Sequence, residues 1–340
     1  MYSFMNDYSE GAHPLILELL INSNLEQNTG YGEDKHSEKA KKYIKKLIRK
    51  EDVDIHFIAG GTQTNLMVIS AFLRPHQCVI AADTGHISVH EAGAIEATGH
   101  KVVEMPCVDG KLTPALIQAA LNYHADEHMV RPKMVYISNS TELGTIYSKA
   151  ELSAIHNICR ANALILFLDG ARIGSALTCR ANDLELEDIV KLVDVFYIGG
   201  TKNGALLGEA LIICKEELKQ DFRYLMKQRG VLMAKGFIAG IQFEVLFQDN
   251  LFFELGNHAN VMAEKIAIVL KKCGYSFYVP PCTNQLFPII PNIILDKLSE
   301  EFQYSVQAKV DEEHSAVRFV TSWATTQESV DALSEFFYNS

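Results

Sequence analysis

The chain has 340 residues, 48% of them hydrophobic, and a net charge of -11 at pH 7. That acidic balance argues against a nucleic-acid partner or an acidic membrane surface, and the apolar content suffices for one large core and a smaller one. Cys78, Cys107, Cys159, Cys179, Cys214, Cys273 and Cys282 form no Cys-x-x-Cys pair, which fits a reducing interior better than a disulfide framework or zinc ribbon. No apolar run reaches membrane-spanning length, and the opening Met-Tyr-Ser-Phe-Met-Asn lacks the regions of a secretory signal. A cytoplasmic globular protein without a membrane partner is expected.

Taken from the N-terminus, Tyr31-Gly-Glu-Asp34 reads as an exposed turn. Lys35–Lys50, with seven lysines and one arginine, reads as the solvated face of a helix. Strands are predicted at Ile55–Ala59, Cys78–Ala82, Lys101–Glu104, Met134–Ser138, Leu164–Leu168, Val195–Ile198 and Ala210–Cys214. Several are apolar without alternation, the pattern of strands buried on both faces. Helices are predicted between them at Asn65–Leu73, Ile87–Ala97, Pro114–Ala125, Lys149–Ala161 and Leu184–Leu192. This alternation predicts an α/β fold with a mostly parallel sheet, whose ligands bind beyond the carboxyl ends of the strands.

After Cys214 the pattern changes. Glu216–Leu255 reads as long helices and His258–Lys272 as a further one. Strand-like Tyr275–Val279, Gln285–Ile290 and Val317–Ser322 and a final helix Gln327–Tyr338 follow. The expected organisation is a large α/β domain over residues 1–245, with its N-terminal segment, and a small α+β domain over residues 246–340. A long helix around residues 236–256 is expected to join them.

Two residues suggest the chemistry. Asp169 ends the run Leu164-Ile-Leu-Phe-Leu-Asp169, and Lys202 follows Val195–Ile198, 33 residues further on. An amine and a carboxylate at successive strand ends suit a pyridoxal 5'-phosphate (PLP) site. Lys202 would condense with the cofactor aldehyde, and Asp169 would keep the pyridine nitrogen protonated. Gly60-Gly61-Thr62, between a strand and a helix, could cradle the phosphate. His86 could stack on the ring or move a proton, while His86 and His90 at a spacing of four also leave open a metal pair or buried structural histidines. Arg172 and Arg318 could take an amino acid carboxylate, each against the default of a salt bridge. The segment Gly199–Gly208 matches neither the dinucleotide nor the P-loop glycine spacing.

In order and distance these motifs resemble the threonine aldolase and β-eliminating lyase family of fold-type I PLP enzymes, the aspartate aminotransferase-like fold. The resemblance rests on Asn6-Asp7-Tyr8-Ser9, Tyr31-Gly-Glu-Asp34, Gly61-Thr62-x-x-Asn65, His86 with Glu91, Asp169-Gly-Ala-Arg172, Thr201-Lys202 and Arg318-Phe-Val-Thr. It implies cleavage of β-hydroxy-α-amino acids such as L-threonine or L-allo-threonine to glycine and an aldehyde. The roles it implies are Lys202 as the cofactor's lysine, Asp169 at the pyridine nitrogen, His86 on the ring, and Gly61 and Thr62 at the phosphate. Arg172 and Arg318 would hold the substrate carboxylate, with Ser9. It further implies a homodimer or homotetramer with shared sites, Tyr31 reaching the neighbouring site and Arg229 its phosphate. The loop Asn139-Ser-Thr-Glu-Leu-Gly-Thr-Ile-Tyr147 departs from the family's glycine-rich loop, which keeps a β-eliminating lyase as the alternative.

Overall fold

Apolar runs without alternation become the centre of a seven-stranded sheet in the computed structural model, which describes residues 1–340. The chain begins with β1 (Tyr2–Ser3), α1 (Pro14–Asn22), α2 (Lys35–Ile48), β2 (Asp54–Ile58), α3 (Gly61–Phe72), β3 (Gln77–Ala82), α4 (His86–Val89), β4 (Val102–Met105), α5 (Pro114–Tyr123) and β5 (Arg131–Ser138). It continues through α6 (Lys149–Ala161), β6 (Ile165–Asp169), α7 (Ile173–Thr178), α8 (Leu186–Leu192), β7 (Val195–Gly199), β8 (Glu209–Ile213), α9 (Phe222–Gln228), α10 (Phe237–Gln248) and α11 (Leu251–Lys272). The C-terminal elements are β9 (Gln285–Leu286), β10 (Ile289–Pro291), α12 (Asn292–Glu301), β11 (Phe302–Gln303), β12 (Ser305–Lys309), β13 (His314–Val320) and α13 (Gln327–Asn339).

The large sheet has the order β2-β8-β7-β6-β5-β3-β4. β3 pairs in parallel with β4 and β5, β5 with β6, and β6 with β7, whereas β8 is antiparallel to both its neighbours. All strands but β8 therefore bring their carboxyl ends to one edge, where β8 brings its amino end. Alternate side chains fill two apolar layers, one holding Val135, Ile137, Phe196 and Ile198, the other Met134, Tyr136, Val195 and Tyr197. The predicted α/β class with a mostly parallel sheet is what forms.

The lysine-rich helix has the expected solvated side. Its buried residues are His36, Ser37, Ala40, Ile44 and Ile48, a stripe at helical spacing that leaves the lysines outward. Asp34 starts it, accepting from the Ser37 backbone N–H at 2.8 Å and the Ser37 hydroxyl at 2.7 Å. The Tyr31–Asp34 motif is thus a helix start as well as a turn.

Other elements differ from expectation for local reasons. The helix expected over Ile87–Ala97 is a single turn, α4, plus a 3-10 turn at Glu96–Thr98, because Ala92 and Gly93 take left-handed backbone (φ 50° and 73°). The joining helix around 236–256 is two helices, broken at Asn250 (φ 66°), and α11 takes in the segment expected to begin at His258. Tyr275–Val279 makes only one bridge, Phe277 to Pro288. α12 and β12 go beyond the sequence expectations, and β12 is a largely exposed edge strand with little apolar signal.

A second sheet, β10-β13-β12 with β9 also on β13, has its own core. Ile266 and Leu270 of α11, Leu298 of α12, Phe319 of β13 and Leu333 of α13 meet there, together with Phe4. Each such buried side chain contributes roughly 1.5–3 kcal/mol. Strand β1 pairs with β11, so the first residues join this C-terminal core. Helix α11 serves both cores, Leu255 in the large one and Met262 in the small one.

The crossing of α11 over α7 is close. A Cβ on Gly256 would lie 2.6 Å from the Gly174 carbonyl carbon and oxygen, and one on Gly174 would lie 2.9 Å from Asn203 Nδ2. Asn203, next to Lys202, donates to the Phe252 carbonyl at 2.7 Å, so this crossing also positions the lysine loop. Gly256→Ala is expected to cost about 1–3 kcal/mol by overpacking. Urea unfolding measures it, and an unchanged midpoint would mean the helices separate freely.

Candidate active site

The shared edge of the large sheet opens on a cavity of about 480 Å³. Gly61 follows β2, His86 follows β3, Glu142 follows β5, Asp169 ends β6, Lys202 follows β7 and Glu209 begins β8; all line the cavity, as do Thr62, Arg172 and Arg318. A parallel sheet with one reversed strand thus gathers groups from six strand ends.

Asp169 is 4% exposed. Its carboxylate accepts from the Ala171 backbone N–H at 2.9 Å, from Asn65 Nδ2 at 3.2 Å and from the Tyr136 hydroxyl. Burial would raise its pKa, but the His86 charge and hydrogen bonds from Tyr136, Tyr197 and Ala171 hold it below the ordinary value. Asn65 Nδ2 also donates to Glu91 Oε1 at 2.7 Å, and the same oxygen lies 2.8 Å from His86 Nδ1. Glu91 therefore fixes the imidazole ring, leaving Nε2 as the nitrogen without this partner.

Lys202 is enclosed, and burial followed by the Arg172 charge lowers its pKa. Beneath it, Glu209 Oε1 accepts from the Thr201 hydroxyl at 2.9 Å and Oε2 from the Gly200 N–H at 3.1 Å. The Thr201 hydroxyl in turn accepts from the Gly208 N–H at 3.1 Å. Burial is the main cause that pushes Glu209 up to about 8. Sequence reading missed Glu209 because it looks for strand carboxyl ends, whereas a reversed strand presents its first residue.

The two arginines differ. Arg172 forms a two-point ion pair with Asp7, Nε to Oδ2 at 2.7 Å and Nη2 to Oδ1 at 3.0 Å. Asp7 is 1% exposed and also accepts from Asn284 Nδ2 at 3.0 Å. Its burial would raise the pKa, yet the charges of Arg172 and Lys202 keep it lowered. Arg318 has no such partner: Nη2 donates to the Met5 carbonyl at 3.3 Å, and buried Nε has none. Burial and the Arg172 charge lower its pKa. An anion entering the cavity would find Arg318 unpaired.

Glu142, on the loop that departs from the family pattern, accepts from the His86 N–H at 3.0 Å and from the Ser138 hydroxyl at 2.8 Å through Oε1. Burial and the Asp169 charge raise its pKa. Three expected residues lie elsewhere. Ser9 is exposed and bonds to Asn6 Oδ1 at 3.0 Å, so the adjacent Tyr8 lines the cavity and Asp7 supplies the carboxylate. Tyr31 is 41% exposed under Lys227, whose Nζ sits 4.3 Å from the ring centroid. Arg229 is exposed at the C-cap of α9. Neither Tyr31 nor Arg229 lines the cavity of its own chain.

The residues fit a PLP. Helix α3 follows Gly60, an N-cap without a side-chain hydrogen bond, and Gly60, Gly61 and Thr62 line the cavity, so an uncapped helix start is on hand for a phosphate. An amine and an ionised carboxylate stand further along the same cavity.

Comparison with known proteins agrees with the geometry. A family described as beta-eliminating lyase matches residues 14–291. A low specificity L-threonine aldolase of Pseudomonas aeruginosa is 30% identical over 97% of this chain and 95% of that protein. One from Escherichia coli O157:H7 is 27% identical over 62% of this chain and 64% of its own length. A solved Leishmania major threonine aldolase is 52% identical, with a TM-score of 0.98 over 100% of this chain and 99% of that one. A Thermus thermophilus aspartate aminotransferase, 13% identical with a TM-score of 0.74 over 100% and 91% of the two chains, shares the fold.

Glu209 gives the site a pH signature. Its pKa is raised from 4.5 to about 8, so the native state keeps a proton that the unfolded chain releases across that window. The stability it contributes is fully present below about 4.5 and is lost as pH rises through about 8, with a slope of up to about 1.4 kcal/mol per pH unit. Glu209→Gln keeps the size of the side chain and one acceptor oxygen without titrating. Urea midpoints at pH 5, 7 and 9 are expected to fall less in the variant, and an equal fall would assign the slope to other groups.

Proposed function

The chain belongs to the beta-eliminating lyase family, and on that premise we propose that it is a PLP-dependent lyase cleaving L-threonine and L-allo-threonine to glycine and an aldehyde. The observation that carries this reading is one cavity holding Lys202, Asp169 and the unpaired Arg318. Bound PLP supplies an electron-withdrawing ring, conjugated to the substrate nitrogen, that weakens the bonds at the α-carbon.

The protein's own groups supply the rest. The lowered pKa of Lys202 favours the neutral amine that attaches the cofactor. Asp169, whose pKa is held low, would hold the protonated ring nitrogen. The α3 N-terminus at Gly61 and Thr62 would hold the phosphate. His86 would pack on the ring, and its Nε2 would take the proton of the substrate hydroxyl, because Nδ1 is committed to Glu91. Arg318 takes the substrate carboxylate, which orients the α-carbon substituents. Arg172, paired with Asp7, would shape the wall of the cavity.

The same reading includes a homodimer, or a tetramer built from it, in which Tyr31 and Arg229 approach a neighbouring subunit's site. Their exposure in the single chain is consistent with that. It also includes a cofactor-binding unit of residues 1–245 and a C-terminal unit of residues 246–340. The separate core of the second sheet supports this division, although Phe4 packs in the second unit.

The test is direct. With PLP, L-threonine should give acetaldehyde and glycine in equal amounts, and Lys202→Ala should abolish turnover. Formation of a keto acid instead would transfer the chain to the β-eliminating reaction. Arg318→Ala is expected to raise KM for the amino acid roughly 10- to 100-fold, the loss of a charged hydrogen bond. An unchanged KM would remove Arg318 from carboxylate binding.

A further inference from the structure

Outside the cavity, two of the seven cysteines meet across the chain. Cys179 caps the end of α7 in the large unit, and Cys282 lies in the loop before β9. Their Sγ atoms are 3.7 Å apart, although 103 residues separate them in sequence. No bond joins them. Both line a cleft of about 390 Å³ beside α11, with Cys179 buried at its wall and Cys282 half-buried.

From this contact we propose that Cys179 and Cys282 are a redox modification site, closing reversibly into a disulfide that ties the loop before β9 to α7. The sulfurs need only close from 3.7 Å to the about 2.05 Å of a disulfide bond. The other five cysteines, Cys78, Cys107, Cys159, Cys214 and Cys273, form no such pair.

Chemistry also separates the two sulfurs. The hydrogen bond shared with Cys282, in which either sulfur can donate, and backbone N–H groups of Ala181 and Asn182 that serve Cys179 alone, against the cost of burial, bring Cys179 down to about 7. Cys282 is raised, first by the same hydrogen bond. Cys179 is therefore the thiolate that attacks and Cys282 the thiol that resolves. With a peroxide as oxidant, the Cys179 thiolate takes one oxygen of hydrogen peroxide, forming a sulfenic acid and releasing hydroxide. Cys282 then attacks Cys179 Sγ, the S–S bond forms, and the expelled hydroxide takes the Cys282 proton to become water. Two thiols lose two electrons and two protons, and one peroxide becomes two waters.

The bond would reach the cavity through the loop that carries Cys282. Thr283 Oγ1 donates to the Gly144 carbonyl at 2.9 Å, and Asn284 donates to Asp7, the partner of Arg172, at 3.0 Å. Pulling Cys282 toward α7 strains this chain of hydrogen bonds and shifts the arginine pair.

The experiment treats the PLP-loaded protein with hydrogen peroxide and counts free thiols in denaturant. The expected result is a fall from seven to five, a single 179–282 cross-linked peptide two hydrogens lighter on non-reducing mass mapping, and recovery of both thiols with dithiothreitol. Cys282→Ser should stop at a Cys179 sulfenic acid trapped by dimedone, and Cys179→Ser should yield neither product. Loss of no thiols, a different pairing, or irreversible sulfinic acid in the unmodified sequence would overturn the site. KM for the amino acid should change several-fold on oxidation and return on reduction, with Cys282→Ser indifferent. A disulfide without that change would overturn its reach to Arg172. Thiol counts and peptide masses do not depend on which substrate the enzyme takes.

Discussion

An ionised carboxylate at the end of a buried strand is the constraint on which the active edge depends. A buried charge costs several kcal/mol unless donors and countercharge surround it. For Asp169 these come from Tyr136 on β5, Asn65 on α3 and the Ala171 N–H of its own turn, with Tyr197 on β7 and the charge of His86. Satisfying one ion therefore sets the register of three neighbouring strands and the placement of α3. The start of α3, which lines the cavity, belongs to the same helix whose Asn65 serves Asp169. Glu91 extends the network to His86, so the groups below and above the expected cofactor plane are held by one set of hydrogen bonds.

A second ion pair joins what the sequence keeps apart. Arg172 lies three residues after Asp169, while Asp7 lies 165 residues from Arg172 and Asn284 lies 277 from Asp7. Their contact binds the N-terminal segment, the large sheet and the loop before β9 into one wall of the cavity. Removing one member of a buried pair leaves an uncompensated charge, typically worth 3–5 kcal/mol, so Arg172 is better suited to shaping the wall than to releasing Asp7 for each substrate. On the proposed reading the substrate carboxylate therefore falls to Arg318, whose buried Nε lacks a partner.

The strands and the order of their end groups were legible because parallel strands are written as uninterrupted apolar runs, and the chemistry sits within about four residues after each. Asp169, Lys202, His86 and Gly61 all obey that rule and all line the cavity. Three kinds of residue escaped it. Glu209 enters through strand reversal, which an apolar run does not disclose. Asp7 gains its importance from a distant arginine, which its local sequence does not disclose, and the expectation fell on Ser9 instead. The helix breaks at Ala92 and Asn250 arise from left-handed backbone at residues other than glycine, which ordinary helix signals do not mark.

Four acids face this cavity or its wall, and their surroundings divide them. Asp7 receives a guanidinium fork and an amide, and Asp169 receives hydroxyl, amide and backbone donors beside His86; both carboxylates are held below their ordinary pKa. Glu142 and Glu209 each accept two neutral donors, and both are raised by burial and by the negative charge of Asp169. Charge thus stays where donors and cations converge, and protons stay where they do not. On the proposed reading the two lowered acids would hold the ring nitrogen and Arg172, while burial shifts Glu142 and Glu209 toward the neutral form beside Lys202. A chain with a net charge of -11 can in this way still present Arg318 as an uncompensated cation to an incoming carboxylate.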